Sequence, residues 1–200
     1  MALKPMTSHP QNDMRDAILR TAIRLFRDVG YYKTTVADIA KVMEMSPANI
    51  YRFFSSKKEI HASAARLLMG EVEAAVETIV SGSGDPIDRL RRILETVHVM
   101  NAERYVADSK IHEMVAVAME QSWDVCQEHI VRIMKAITSI IQDGVTAGIF
   151  HVDNVDVAAS CTCAAMAGFF DPQMIAQNRN KPRPSLENMI SFVTKSLTAP

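Results

Sequence analysis

The sequence predicts an all-α fold of about nine helices, with a three-helix helix-turn-helix domain at the N-terminus and a larger helical bundle behind it. Three observations carry this reading. Apolar positions recur every three to four residues along nearly the whole chain, and no segment convincingly alternates with a strand's period of two. Only 7 Gly and 8 Pro punctuate the 200 residues, and three helix starts crowd into the forty or so residues before Ser56.

The first helix is expected from about Asp13 to Val29. Ile18, Ala22, Leu25, Phe26 and Val29 form its apolar stripe, Arg20, Arg24 and Arg27 share another face, and Gly30 supplies the left-handed C-cap. Thr35-Val36-Ala37-Asp38 is a capping box that opens a short second helix through Met43. Ser46 as N-cap and Pro47 at the first helical position open a third, which extends to about Phe54. Ser56-Lys57-Lys58-Glu59 reads as another capping box and starts a fourth helix that reaches Val80.

Ser81-Gly82-Ser83-Gly84 lacks the preceding strand and third glycine of a phosphate-cradling loop, so it reads as a linker before Asp85-Pro86. Helices follow over Pro86 to Ala102, Glu103 to Met119 and Gln121 to Ala147, the last closed by Gly148. In the long one Cys126, Ile130, Ile133, Ile137, Ile140, Ile141 and Gly144 track one face, as in a bundle core. Asp153 or Asn154 caps the next helix, to Phe170, and Ser185 opens a last amphipathic helix ending near Leu197.

Two short helices joined by Glu44-Met45, over residues 35–54, fit a helix-turn-helix. The second helix of such a motif must enter a major groove, so apolar residues belong only on its inner face. Ile50 and Phe54 point inward, leaving Ala48, Asn49, Tyr51, Arg52 and Phe53 for groove and backbone. Asn can pair with an adenine edge, Arg with guanine or phosphate, and Tyr with a phosphate oxygen. Lys57 stands at a helix N-terminus, where backbone N–H groups also attract phosphate. The plainer alternative makes Tyr51, Phe53 and Phe54 core aromatics of a bundle.

The run from Ile18 to Phe26, Gly30-Tyr31, Thr34 to Ala40, Ser46 to Phe54 and Ser56 to Glu59 resembles the N-terminal domain of the TetR family of bacterial transcriptional regulators, continuously over residues 13–62. The resemblance implies that Thr35 and Lys57 anchor the DNA backbone, that Tyr51 binds phosphate, and that Pro47, Ala48, Asn49 and Arg52 face the groove, with Ser46 capping and Phe53 beside them. Glu44 stands where the family commonly has a turn Gly, which implies either a turn without positive φ or strain. Phe53 stands where a His is frequent, in reach of a thymine methyl or the sugar-phosphate edge.

The resemblance further implies that residues 61–200 form a ligand-binding and dimerisation domain behind a DNA-binding domain of residues 1–60. Ten of the thirteen residues from Val157 to Phe169 are Ala, Ser, Cys, Thr or Gly, none charged, which suits close helix packing. With the last helix this suggests a four-helix homodimer interface through Val157, Cys161, Ala164, Ala165, Gly168, Met189, Phe192 and Val193; the alternative is cover for the subunit's own core. A two-fold dimer calls for a palindromic operator on double-stranded DNA.

Met100, Tyr105, His112, Met114, Met119, Trp123, Cys126, His129 and Met134 are the candidate lining of an effector pocket, since methionine repacks readily around apolar ligands, although it also fills cores. Cys126 and His129 share a helical face, but no second Cys-His pair faces them, so neither metal nor cofactor is expected.

No nucleophile elbow, Walker loop, dinucleotide fingerprint or His-Glu-x-x-His occurs, which speaks against an enzyme. The uncharged stretch Val157 to Phe170 is shorter than the roughly 18 residues that cross a bilayer. Without a secretory run at the start or an even cysteine set, a cytoplasmic location and no membrane partner are expected. The net charge of −1 argues against nucleic acid until it is divided. Residues 1–60 carry ten Lys and Arg against six Asp and Glu, or +4, leaving −5 for the remainder. The expected activity is a repressor released from its operator when a small apolar or amphipathic effector shifts the fourth helix. Its rival is a regulator of the same fold under a protein partner's control, or a constitutive DNA binder.

Overall fold

The structure is a computed structural model that describes residues 10–105, 114 and 117–199, the side chains of 10, 11, 104 and 105 excepted. Its helices are α1 (Pro10–Asp28), α2 (Val36–Val42), α3 (Pro47–Tyr51), α4 (Lys57–Val80), α5 (Pro86–Tyr105), α6 (Trp123–Thr146), α7 (Val155–Phe170), α8 (Pro172–Gln177) and α9 (Leu186–Thr198). Residues 117–121 are helical as well, and no strand occurs among the described residues.

Local chemistry sets most of these ends. Thr35 Oγ1 accepts from the Asp38 N–H at 3.1 Å while Asp38 Oδ2 accepts from the Thr35 N–H at 2.8 Å, closing the expected box. The second expected box is displaced by one residue. Ser56 caps the Glu59 N–H at 3.1 Å, but the Glu59 carboxylate reaches past it to the N–H and hydroxyl of Ser55, at 2.6 and 2.7 Å. Asn154 rather than Asp153 caps α7, its Oδ1 accepting from Val157 N–H at 3.0 Å. Asp171 caps α8, a helix the sequence reading leaves out, by accepting from Met174 N–H at 2.8 Å.

Three boundaries differ from expectation for geometric reasons. Val29 is exposed because α1 ends at Asp28 and Gly30, at φ 105°, turns the chain away. The α3 helix stops at Tyr51, since the Arg52 and Phe53 N–H groups bond only three residues back, to Asn49 and Ile50. Glu44 takes φ 54°, so the turn between α2 and α3 adopts the left-handed geometry that favours glycine.

Two cores share α4. Ile60 and Ala64 complete an N-terminal core with Ile18, Phe26, Ile39, Ile50 and Phe54, which Met114 and Val117 also enter. Roughly two to five turns further on, Val72, Val76 and Ile79 join a bundle core with Leu90, Ile93, Ile137, Ile140, Phe150, Met166 and Ile190. The division expected at residue 60 therefore falls inside a continuous helix. Burial of each large apolar side chain contributes roughly 1.5–3 kcal/mol, so both ends of α4 are firmly held.

The α4 C-terminus is tied by a buried guanidinium: Arg89 donates to the carbonyls of Ile79 and Val80 and to Asp143 Oδ2, the last at 2.9 Å. Gly144 of α6 allows Phe150 to fold back over it. A Cβ there would lie 2.0 Å from Phe150 Cδ2.

Candidate nucleic-acid interface and ligand cavity

The α2–α3 unit presents a polar face built on an apolar base. Ile39, Ala40 and Ile50 are buried, while Thr35, Ser46, Pro47, Ala48, Asn49, Tyr51 and Arg52 are exposed, Tyr51 by 51%. Ser46 Oγ accepts from the Asn49 N–H at 3.3 Å, which fixes the start of the helix and leaves the Asn49 amide outside the cap. The Thr35 hydroxyl donates to Asp38 at 2.6 Å, and that bond with the Thr35 N–H holds the Asp38 carboxyl below the usual range. Phe53 does not join this face. It is partly buried against the N-terminal core, because the helix has already ended.

Lys57 begins α4, with its ammonium 4.2 Å above the Tyr31 ring and 3.5 Å from the Tyr32 carbonyl. Arg15, which sequence reasoning passes over, clamps the reader from behind. Its guanidinium lies 4.0 Å over the Phe54 ring, donates to the Phe53 carbonyl just past α3, and reaches Glu59 and Ser63 of α4 at 3.4 Å.

A cavity of about 290 Å³ lies between α4, α5, α6, α7, the start of α8 and the side chains of Met114, Ala118 and Met119. Of the nine expected lining residues, Met114, Met119, Cys126 and His129 border it. Met100 packs on the bundle core instead, Trp123 is 45% exposed at the first turn of α6, and Met134 is one position past the inward-facing Ile133. The Tyr105 side chain and His112 lie outside the described residues.

Sequence reasoning missed His61, Asn101 and Asp171 in the wall. Asn101 Nδ2 donates to the Phe170 carbonyl at 2.7 Å, and His129 Nδ1 lies 2.9 Å from Glu73 Oε1, which Arg132 also binds. Among the described residues no three His, Cys, Asp or Glu are grouped to hold a metal ion.

His61 differs from these. It is 1% exposed, packed edge-on against Tyr31 and tilted against Phe26, with ring centroids 4.7 and 5.9 Å away. Burial pulls its pKa down to about 4, the Met114 backbone opposes that shift, and Lys57 adds to it. Both ring nitrogens are left without a partner. The only sequence signal was a histidine on the apolar face of α4, which equally describes a core residue.

Along α7, Val157, Cys161 and Ala164 are exposed and Gly168 half-buried, at helical spacings of four, three and four. Phe192 of α9, which packs on α7, is 63% exposed. Ala165 and Met189 are half-buried against the bundle core, whereas Val193, expected in the interface, is 3% exposed inside that core. Phe192 and Val193 are neighbours on a helix, and only one of them can face outward.

Two family models account for most of the chain. One for bacterial regulatory proteins of the tetR family matches residues 18–64, and one for a tetracyclin repressor-like C-terminal domain matches residues 86–186. The chain belongs to the TetR family. Over 93 residues it is 32% identical to the biofilm operon icaADBC HTH-type negative transcriptional regulator IcaR of Staphylococcus aureus, covering 46% of this chain and 50% of that protein. It thus spans about half the length of the curated relatives it matches.

The likeness of fold extends over most of the chain. A TetR/AcrR regulator from Thermobifida fusca shares 21% identity at a TM-score of 0.65, covering 94% of this chain and 98% of that one. A transcriptional regulator from Saccharomonospora viridis, solved in complex with choline, shares 22% at a TM-score of 0.62, covering 92% and 95%. The TetR N-terminal match includes Thr35, Ser46, Pro47, Ala48, Asn49, Tyr51, Arg52 and Lys57.

Proposed function

We propose that this chain is a sequence-specific DNA-binding repressor in the cytoplasm, acting as a homodimer that leaves a palindromic operator when a small apolar or amphipathic effector fills the cavity. The observation that carries the reading is the exposed polar surface of α3 in a TetR-family chain, with Lys57 beside it. Asn49 and Arg52 read base edges, while Tyr51, Lys57 and Thr35 bind the backbone. Residues 1–60 read DNA, residues 61–200 sense and dimerise, and the α7 and α9 face with exposed Val157 and Phe192 joins two copies. Two recognition helices then stand about one DNA turn apart, ~34–36 Å, or a multiple of it.

The cavity favours control by a small molecule over control by a protein partner, since a filled bundle would have no room for one. Because α4 belongs to both cores, a ligand beside it alters the seat of the reader without crossing a flexible joint. Selection of bound DNA from a random pool by the purified protein tests this function. An enriched palindrome is the expected result, and a pool without one overturns it.

A further inference from the structure

We infer that the cavity takes an uncharged, hydroxyl-bearing ring compound whose hydroxyl docks on His61, and that the Tyr31 ring relays this contact to Lys57 at the DNA-facing start of α4. This inference rests on the effector-controlled reading above and names the effector's chemical class.

His61 is the polar group of the described wall that lacks a protein partner. Asn101 is bonded to the Phe170 carbonyl, His129 to Glu73, and Asp171 to the α8 backbone. A buried neutral imidazole offers one donor nitrogen and one acceptor nitrogen, and leaving both unmatched is costly. A hydroxyl is the smallest group that both donates and accepts at a single atom, so it answers either tautomer.

The ionic alternatives fit less well. A carboxylate only accepts and calls for a cation, but no Lys or Arg stands among the described lining residues, and Asp171 there repels an anion. An ammonium only donates, so it serves at most the acceptor nitrogen of His61 and leaves the other unmatched, and Asp171, the one carboxylate among the described lining residues, already gives Oδ1 to the α8 backbone. The remaining wall, including Leu68, Val97, Met114, Ile133 and Phe170, is apolar and suits a ring skeleton, and 290 Å³ is at the small end of ligand pockets.

The relay has its own observation. The His61 ring meets the Tyr31 ring edge-on with centroids 4.7 Å apart, and the Lys57 ammonium lies 4.2 Å over the Tyr31 ring, so three side chains form one continuous run of contacts from the cavity wall to the start of α4. A hydroxyl that draws the imidazole toward the cavity reseats Tyr31 and, with it, Lys57.

A matched series of probes on the full chain tests the class: naphthalene, 2-naphthol, 2-naphthoate and 2-naphthylmethylammonium, each titrated by calorimetry. The expected result is 2-naphthol binding about tenfold tighter than the other three. In His61→Leu that preference disappears while naphthalene binds as before, and His61→Gln restores part of it. Equal binding of naphthol and naphthalene, tighter binding of either ion, or a preference that survives in His61→Leu would overturn the class.

On an operator recovered from the random pool, 2-naphthol is expected to weaken binding of the parent and Tyr31→Phe alike. Tyr31→Leu should bind naphthol yet show no such response, and a response equal to the parent's removes the relay. If no palindrome is enriched, the regulator reading fails by itself, and the calorimetric series still decides the ligand class.

Discussion

The unpartnered histidine makes a quantitative prediction about acid stability. His61 has a pKa of about 4 in the folded chain against 6.5 for the free side chain. Above the free value neither folded nor unfolded protein carries this proton, and the contribution to stability is flat. As pH falls from 6.5 toward 4 the unfolded chain takes up the proton and the folded one resists, which costs about 1.4 kcal/mol per pH unit. Below the folded value both forms are protonated and the loss stops. The interval, weighted for a ring 1% exposed, corresponds to a total of about 3 kcal/mol.

Urea unfolding of the parent and His61→Leu, at one protein concentration and at about pH 7 and about pH 4.5, reads the effect. The parent should lose about 2–3 kcal/mol more than the variant over that interval. Asp38 and Glu59, whose carboxyls are held low by Thr35 and Ser55, destabilise both proteins equally in acid and cancel in the difference. Equal losses in the two proteins would refute a buried neutral His61.

Gly144→Ala places a methyl against the Phe150 ring and should lower stability by about 1–3 kcal/mol in urea unfolding, with Phe150→Leu on the same chain recovering part. Glu44→Gly removes the left-handed strain at φ 54° and should raise stability by about 1 kcal/mol, read as a higher midpoint at unchanged slope. Lys57→Ala should weaken binding to all DNA and reduce the salt slope by about 1, whereas Asn49→Ala should cost ~1–3 kcal/mol on operator and relax base preference. Equal losses on operator and random DNA for both variants would contradict these assignments. Phe192→Asp should shift the protein from dimer to monomer in sedimentation while the monomer stays helical, because this side chain is 63% exposed and outside the subunit core.

Much of the reader was legible in the chain. The starts at Thr35, Ser46-Pro47 and Ser56 are local devices whose partners are three residues away, and α4 has the expected bounds Lys57–Val80. The reading failed where an end depends on distant contacts. Phe53 leaves the exposed face of α3 because the helix stops early, with Arg15 of α1 holding the Phe53 carbonyl across 38 residues. The cavity was harder still. Methionines and aromatics on α6 were reasonable candidates, yet Met134 falls one residue past the inward-facing Ile133 and Trp123 stands exposed at the first turn, while Cys126 and His129 border the cavity.

The sequence by itself determined an all-helical chain, the punctuation of its first sixty residues and the polar side chains that α3 exposes. These follow from periodicity, capping and the order of residues along one short helix, all set within a few positions. Tertiary structure alone decided that α4 is common to both cores, that His61 of the cavity wall meets the Tyr31 ring, and that Phe192 faces outward where Val193 does not. Those outcomes depend on which helix faces meet, and a contact between positions tens of residues apart leaves no mark on the local spacing of either partner.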